Sequence, residues 1–467
     1  MMRQALFLRQ IAVAVACAIC AAAGAQVQNS TTRYEYDPQG NVTKISDPLN
    51  HATSFTYDAL SRRIRVTDAT TTGATLYAYD GIDQLAQVTD ARLVITSYTI
   101  DGLGNLSQTT SADTGVTTST YDAVGNLTSR TDAKLQRTTY QYDALNRPTL
   151  IAYADGATVV YQYDVGANSI GRLSRITDAS GSIDYSYDLN GQVTAETRVI
   201  GGATFTTEYR YDAAGRLSGM TYPSGRSIDY GRDAMGRINQ ISTGGGAQVV
   251  VSQVLYEPFG PVKSITLGNG QTLTRGYDLD GRVASFSLST QSISVSYDAA
   301  SRITAIADAA NTASGTTYGY DVLDRLTNAV SPTVGVTYAY DAVGNRTRKV
   351  INSSATSNTY AATSNRLTKV GTQVIATDAN GSITDKGNAS ISYDVRGRMV
   401  SANTAIGLVQ YAINSLGQRV RKVTPTATTV FHYDLSGKLI SEATTTAGVT
   451  TVVEYLYLGE LPVAVIK

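Results

Sequence analysis

Aspartates are the residues of this chain whose type and spacing could perform chemistry. They follow tyrosine in fourteen Tyr-Asp dipeptides, mostly 20–24 residues apart. Glycoside hydrolysis needs two carboxylates at a defined separation, and such a pair should occur once in a chain. These aspartates recur with a period, as turn residues do. We therefore interpret them as structural, and we expect no catalytic residue and no enzymatic activity.

The motifs of the other chemistries are missing from the sequence. His51 and His432 are its two histidines, and a metal site needs clustered ligands. Each histidine lies in or beside a strand pattern, so we interpret both as structural. The sequence also contains no calcium-loop spacing, no Gly-x-Ser-x-Gly nucleophile motif and no glycine loop between a strand and a helix. We expect no metal and no cofactor.

The segment T-T-S-T-Y-D-A-V-G-N-L around Asp122 shows the unit that repeats. Thr, Ser and Tyr favour a strand before the aspartate, and Asp can accept hydrogen bonds from amides two residues on. Gly125 fits the left-handed position of a hairpin turn with a bulge, and Asn146, which tolerates that conformation, replaces it in another copy. The predicted structural turn residues are Asp37, Gly40, Asp122, Gly125, Asp143, Asn146, Asp188, Gly191, Asp212, Gly215, Asp278, Gly281, Asp341, Gly344, Asp394, Gly397, Asp434 and Gly437.

Tyrosines stand two residues apart in several copies, as Tyr34 and Tyr36 do. Strand side chains at i and i+2 share a face, so successive hairpins should stack tyrosines into a ladder. The chain holds 31 Tyr, 6 Phe and no Trp, which indicates packed faces still reached by water or hydrogen-bond partners. Cross-strand packing and stacking on sugar rings are the two interpretations. The predicted tyrosine ladder comprises Tyr36, Tyr57, Tyr79, Tyr121, Tyr142, Tyr163, Tyr187, Tyr211, Tyr277, Tyr297, Tyr320, Tyr340, Tyr393 and Tyr433.

Residues 1–25 have the pattern of a secretory signal peptide: Arg3 and Arg9, an apolar run over residues 11–23, and small residues up to Ala25. We expect cleavage after Ala25, with lipoprotein cleavage before Cys17 as the alternative. The run is too short for a comfortable membrane span, so the expected location is extracellular, cell-surface or periplasmic, with no span after cleavage. Without Arg3 and Arg9, 36 basic residues face 38 acidic ones, and nothing attracts nucleic acid.

The pattern Y-x-Y-D-x-x-G-[RN]-[LI]-T recurs over residues 32–458. It resembles the YD repeats of Rhs proteins and of teneurin-like YD shells. The resemblance implies an all-β fold in which tandem β-hairpins wind into a spiral β-shell, here partial and open-ended. The array would fill residues 26–467 with about twenty repeats of roughly 21 residues. In Rhs proteins the shell encloses a variable C-terminal toxin, and the repeats are also described as carbohydrate-binding.

Residues 455–464 resemble the run-in to the Rhs core, but no closing core, self-cleavage element or toxin follows before Lys467. We therefore expect a truncated or split Rhs protein whose strands around residues 452–465 lack their usual neighbours. The predicted function is an exported structural shell or interaction protein, related to toxin encapsulation, delivery or cell-surface contact. Its partner would be a polypeptide cargo such as a toxin, or the missing core in trans. The alternative is a carbohydrate-binding surface protein whose partner is a cell-surface glycan.

Overall fold

The computed structural model describes residues 30–71, 73–258, 260–311 and 314–467. The predicted signal peptide, residues 1–25, lies outside these ranges. Within them the chain forms strands and turns without an α-helix, and no helix there is long and apolar enough to cross a membrane. The strands are β1 (Arg33–Tyr36), β2 (Val42–Ser46), β3 (Ala52–Tyr57), β4 (Arg63–Thr67), β5 (Ala74–Tyr79), β6 (Leu85–Thr89), β7 (Ile95–Ile100), β8 (Leu106–Ser111), β9 (Gly115–Tyr121), β10 (Leu127–Thr131), β11 (Arg137–Tyr142), β12 (Pro148–Ala152), β13 (Thr158–Tyr163), β14 (Leu173–Asp178), β15 (Gly181–Tyr187), β16 (Val193–Ile200), β17 (Ala203–Tyr211), β18 (Leu217–Thr221), β19 (Ser227–Arg232), β20 (Ile238–Thr243), β21 (Gln248–Tyr256), β22 (Val262–Leu267), β23 (Thr272–Tyr277), β24 (Val283–Leu288), β25 (Gln291–Tyr297), β26 (Ile303–Asp308), β27 (Thr316–Tyr320), β28 (Leu326–Val330), β29 (Gly335–Tyr340), β30 (Arg346–Ile351), β31 (Ser354–Tyr360), β32 (Leu367–Val370), β33 (Gln373–Val374), β34 (Ala376–Thr377), β35 (Ile383–Asp385), β36 (Ser390–Tyr393), β37 (Met399–Thr404), β38 (Gly407–Ile413), β39 (Arg419–Val423), β40 (Ala427–Tyr433), β41 (Leu439–Thr446), β42 (Val449–Leu458) and β43 (Leu461–Ile466).

The strands form a meandering ribbon. Each pairs antiparallel with the next one in sequence, from β1 to β33 and again from β34 to β43, which gives a 33-stranded and a 10-stranded sheet. A register shift accompanies the Tyr-Asp turns; in the pairing of β11 with β12 it falls between Gln141 and Tyr142. Such bulges bend the strand and increase its right-handed twist, so the ribbon curves.

The turns alternate between the two edges of this ribbon. Turns that follow a Tyr-Asp dipeptide lie on one edge, which we call the YD edge; residues 143–147, for example, join β11 to β12. The intervening turns lie on the other edge, which we call the opposite edge; residues 132–136, for example, join β10 to β11. One repeat therefore contains two strands and two turns.

The ribbon winds back onto itself. Asn380 Nδ2 donates a hydrogen bond to Asp132 Oδ2 at 2.6 Å, although the two residues are 248 positions apart. Asp132 follows β10 and Asn380 follows β34, so one circuit of the spiral takes about 24 strands. The same kind of contact joins Asp178 to Ser415. In both, the opposite edge of the first circuit meets the YD edge of the second.

Most of the ribbon is a wall one sheet thick. The chain exposes 27181 Å² of surface at a mass of 49.5 kDa, whereas a compact monomer of that mass exposes about 17,000 Å². Both faces of a single sheet contribute to this larger surface. It distinguishes this architecture from a two-layer sandwich, in which the inner faces are covered.

An apolar core forms where the last hairpins pack over the middle of the ribbon. Ile440, Leu456 and Leu458 join a cluster that includes Ile228 and Ile241. The expectation that the strands around residues 452–465 lack neighbours is therefore wrong for β42: it pairs with both β41 and β43, and Leu456 is 1% exposed. The sequence pattern alone did not show that the second circuit would cover this region.

The predicted fold class is confirmed: the described chain is all-β, built from tandem hairpins wound into a spiral wall that does not close into a barrel.

Candidate functional site

Each Tyr-Asp turn is organised by its aspartate. In the turn at Asp122, one carboxylate oxygen accepts from the amides of Val124 at 3.0 Å and Asn126 at 2.8 Å, and the other accepts from Asn126 Nδ2 at 3.0 Å. The Gly125 amide donates to the Asp122 carbonyl at 3.1 Å. These hydrogen bonds, that from the Asn126 side chain first, lower the pKa of Asp122. The carboxylate thus replaces backbone partners that the tight turn lacks.

The backbone is left-handed three residues after each predicted turn aspartate. Gly125 has φ +89°, and Asn146, which stands in for glycine, has φ +59°. The other predicted positions also have positive φ: Gly40 87°, Gly191 81°, Gly215 75°, Gly281 77°, Gly344 89°, Gly397 75° and Gly437 81°. Their aspartates, like Asp122, accept the amide four residues on: Asp37, Asp143, Asp188, Asp212, Asp278, Asp341, Asp394 and Asp434.

The tyrosine before each aspartate links one repeat to the previous one. Tyr142 Oη donates to the carbonyl of Leu127, the first residue after the preceding YD turn, at 3.0 Å. The same bond is made by Tyr57, Tyr79, Tyr121, Tyr163, Tyr187, Tyr211, Tyr277, Tyr297, Tyr320, Tyr340, Tyr393 and Tyr433. Tyr36 belongs to β1, which no described YD turn precedes, and this residue is 60% exposed. Phenylalanine could not form this bond, which explains the choice of Tyr.

Arginines add a second link between repeats. Arg147 Nε donates to Asp143 Oδ2 in its own turn at 2.7 Å, and its guanidinium lies 4.3 Å from the ring centroid of Tyr163 in the next repeat. Arg282 and Arg302 make the same pair of contacts. A cation over a tyrosine ring is attracted to its π face, so neighbouring repeats are held together by side chains as well as by the ladder.

The opposite-edge turns are a second set of structural residues that the sequence interpretation missed. Asp132 accepts from the amides of Lys134 and Gln136, both at 2.9 Å, and Leu135 has φ +61°. A signal for them exists: Thr131-Asp132 follows Tyr121-Asp122 by ten residues, as Thr67-Asp68 follows Tyr57-Asp58. The interpretation considered only the Tyr-Asp dipeptides and so described half of the turns.

The two circuits meet along a line that we call the seam, formed by opposite-edge turns within residues 47–247 and YD-edge turns within residues 321–460. At Asp113 the carboxylate accepts from the Asn365 amide at 2.5 Å, and the carbonyl accepts from Arg366 Nε at 2.8 Å. Asn365 Nδ2 also donates to Asp90 Oδ2 at 2.7 Å. Backbone groups of one circuit are thus satisfied by side chains of the other.

Arg92 spans the same part of the seam. Its guanidinium donates to the carbonyl of Ser364 at 2.9 Å, to Asn365 Oδ1 at 2.7 Å and to the carbonyl of Ala361 at 2.8 Å. Its Nε lies 3.4 Å from the carboxylate of Asp341, one of the predicted turn residues. The fan of guanidinium donors suits several acceptors at once, so a single side chain binds two turns of the second circuit.

Charged groups become buried near the C-terminal hairpins. Glu454, 2% exposed, forms an ion pair with Arg226 and accepts a hydrogen bond from Ser224. Tyr222 Oη donates to the Tyr455 carbonyl at 2.9 Å. A buried carboxylate needs such partners, so this end of the seam depends on correct docking of the second circuit.

A cavity of about 310 Å³ lies against this core. Its walls include Tyr209, Tyr222 and Tyr230, and the predicted turn residue Asp434 lies at its lining with Leu435. Burial raises the pKa of Tyr230 to about 12. The cavity is mainly apolar with a few polar groups, as in small-molecule sites.

The two histidines have different surroundings. His432 is 3% exposed, and its ring centroid lies 4.4 Å from that of Phe205. His51 lies at the seam, where the fold brings it and Asp47 close to Asp324. The sequence did not indicate this cluster, because Asp324 comes from a turn far from Asp47 and His51 in the chain.

Repeated hairpin turns, tyrosines that connect the repeats and a seam between successive circuits define a YD-repeat shell. The model of the teneurin YD-shell family matches residues 15–163, 78–250 and 287–422. The chain belongs to this family, and the resemblance described from the sequence is confirmed.

Solved structures show the same fold. TcdB2-TccC3 without its hypervariable C-terminal region is 18% identical with a TM-score of 0.78, over 91% of this chain and 27% of that one. A Tc holotoxin pore of Photorhabdus luminescens with a mutated TccC3 is 18% identical with a TM-score of 0.76, over 91% and 27% of the two chains. The chain thus spans about a quarter of the length of these proteins. No match was found among curated proteins.

Proposed function

We propose that this protein is a non-enzymatic structural shell that encloses a polypeptide. The observation that carries this proposal is the seam: a ribbon one sheet thick meets itself edge to edge after 24 strands, from β10 to β34, through side chain and backbone hydrogen bonds. A wall with a sealed edge separates two volumes, and neither catalytic residues nor a cofactor are needed for that role.

The structural neighbours support a toxin-related cargo. One is a Tc holotoxin pore with a mutated TccC3, and the other is TcdB2-TccC3 without its hypervariable C-terminal region. We infer that the cargo of this chain is also a polypeptide, a toxin or the closing core in trans. The pattern in residues 1–25 supports export of the chain before or during assembly.

Protection from protease tests the proposal. The chain, tagged at its C-terminus, is purified from its native host, and co-purifying polypeptides are identified by mass spectrometry before and after protease treatment. We expect at least one polypeptide to survive digestion until the shell is denatured.

Two variants make this test specific. Gly381→Ala disturbs the seam, whereas Gly125→Ala changes an equivalent turn glycine away from it. Cargo should become protease-sensitive only in Gly381→Ala. Absence of any protected polypeptide, or equal digestion in both variants, would contradict enclosure.

A carbohydrate-binding surface is the second candidate, favoured by the tyrosine-lined cavity of about 310 Å³. Tyrosine rings stack on flat partners, and Arg232 and Lys438 supply polar groups at the lining. Glycan-array binding by the wild-type chain tests it. Leu435→Trp should fill the cavity and abolish binding, while Leu189→Trp, at the same place in another Asp-Leu-x-Gly turn and 90% exposed, should not. Equal binding by both variants would exclude this cavity as the glycan site.

A further inference from the structure

The seam contains a cluster of possible metal ligands near the start of the spiral. Asp47, His51 and Asp324 each offer an atom, and these atoms lie within 4.8 Å of one another. His51 Nδ1 lies 3.0 Å from Asp47 Oδ2. Asp47 follows β2 and Asp324 follows β27, so the cluster joins an opposite-edge turn to a YD-edge turn of the next circuit.

His51 departs from the side chains found at the equivalent place in other turns. In the YD-edge turns that place, four residues after the turn aspartate, usually holds a donor to the second carboxylate oxygen: Asn41 Nδ2 donates to Asp37 at 2.9 Å, and Arg325 Nε to Asp321 at 2.7 Å. Neither amide nor guanidinium nitrogen can ligate a metal in this way. An imidazole nitrogen can, because the neutral ring keeps a lone pair.

The charges at the cluster also favour a cation. Two carboxylates, of Asp47 and Asp324, approach each other across the seam, and Arg302 Nη1 binds one oxygen of Asp324 at 2.7 Å. One oxygen of Asp47 already accepts the amides of Leu49 at 2.9 Å and His51 at 2.7 Å. The other oxygen of Asp47 faces the His51 imidazole, so this oxygen points toward the centre of the cluster.

We propose that Asp47, His51 and Asp324 bind a divalent transition-metal ion of the zinc type and thereby fasten the first stretch of the seam. Donor atoms at about 2.0–2.2 Å from zinc stand about 3–3.6 Å apart, so the observed 3.0 Å between His51 Nδ1 and Asp47 Oδ2 is close to that spacing. The imidazole favours zinc over calcium, which prefers oxygen ligands alone. Water would complete the coordination, since the side chain of Asp324 is 57% exposed.

Substitutions that the chain already contains at equivalent places test the site without disturbing the turns. His51→Asn copies Asn41 and keeps a donor to the turn aspartate. Asp324→Asn copies Asn146, which holds φ +59° where Asp324 holds φ +61°. Asp83→Asn is the matched control: Asp83 has φ +67° and pairs with Arg62 at 2.6 Å, much as Asp324 pairs with Arg302.

The measurement is calorimetric titration of the untagged, chelator-treated chain with Zn²⁺, with Ca²⁺ in parallel, and melting temperature with and without Zn²⁺. We expect one saturable Zn²⁺ site in the wild type and in Asp83→Asn. His51→Asn and Asp324→Asn should each weaken it by about tenfold or more and remove the rise in melting temperature that binding produces.

Two results would overturn the proposal. One is the absence of saturable Zn²⁺ binding by the wild type. The other is unchanged Zn²⁺ affinity in both His51→Asn and Asp324→Asn.

Discussion

The seam can be tested by one alanine substitution and its matched control. Gly381 has φ +84°, and a Cβ there would lie 2.4 Å from the Asp113 carbonyl oxygen of the neighbouring circuit. Gly125 has φ +89°, and its nearest neighbour would be Asn105 Oδ1 at 3.8 Å. Alanine at either position bears a left-handed backbone cost of about 1–2 kcal/mol. Only Gly381→Ala must also move the two circuits apart.

The additional cost at Gly381 follows from the bonds that the movement breaks. The Asp113 carbonyl accepts from Arg366 Nε at 2.8 Å, and its carboxylate accepts from the Asn365 amide at 2.5 Å. Hydrogen bonds to charged groups contribute about 1.5–3 kcal/mol each. Loss of both should destabilise the seam by about 3–6 kcal/mol beyond the backbone cost shared with Gly125→Ala.

Hydrogen exchange at the backbone amide of Asn365 measures this loss of seam stability directly, because that amide donates across the seam. With about 1.4 kcal/mol per factor of ten, its protection should fall by at least about 100-fold in Gly381→Ala. In Gly125→Ala it should change little, while the amides of residues 122–127 lose protection. Equal protection of Asn365 in the two variants would refute the reasoning, since the left-handed backbone cost alone would then explain the effect of both substitutions.

Three further predictions concern a buried histidine, a ladder tyrosine and the signal peptide. Burial, and then the charge of Arg198, lowers the pKa of His432 to about 4 from 6.5. Between these pH values the unfolded chain binds a proton that the folded chain does not, so stability falls as the pH falls from 6.5 to 4. His432→Gln should flatten that part of a plot of melting temperature against pH, and parallel curves for the variant and the wild type would contradict this prediction. Tyr142→Phe removes the bond to the Leu127 carbonyl and should cost about 1 kcal/mol in denaturant unfolding, with a smaller loss for Tyr36→Phe. N-terminal sequencing of exported material should begin at Gln26; a lipidated Cys17 or uncleaved cytosolic chain would count against the signal peptide.

The sequence by itself determined the local structure of each repeat. Asp122, Gly125 and Asn126 lie within five positions of one another, and the Asp122 carboxylate accepts its hydrogen bonds from within the turn, where Gly125 also has its positive φ. The same holds where Asn146 replaces glycine. Tandem repetition of such a unit is enough to indicate hairpins in a continuous ribbon, and the opposite-edge turns were within reach through their Thr-Asp dipeptides.

Only the tertiary structure decided which turns meet. Gly125 and Gly381 have the same backbone conformation, yet only one lies against another circuit. Asp113 and Asn365 are 252 residues apart, and nothing near either residue indicates its partner. The physical reason is that the pitch of the spiral is the accumulated twist and bend of some 24 strands, from β10 to β34, so a small change in each hairpin shifts every contact of the seam. The position of His51 beside Asp324, and with it the proposed metal site, is decided by that sum rather than by any local pattern.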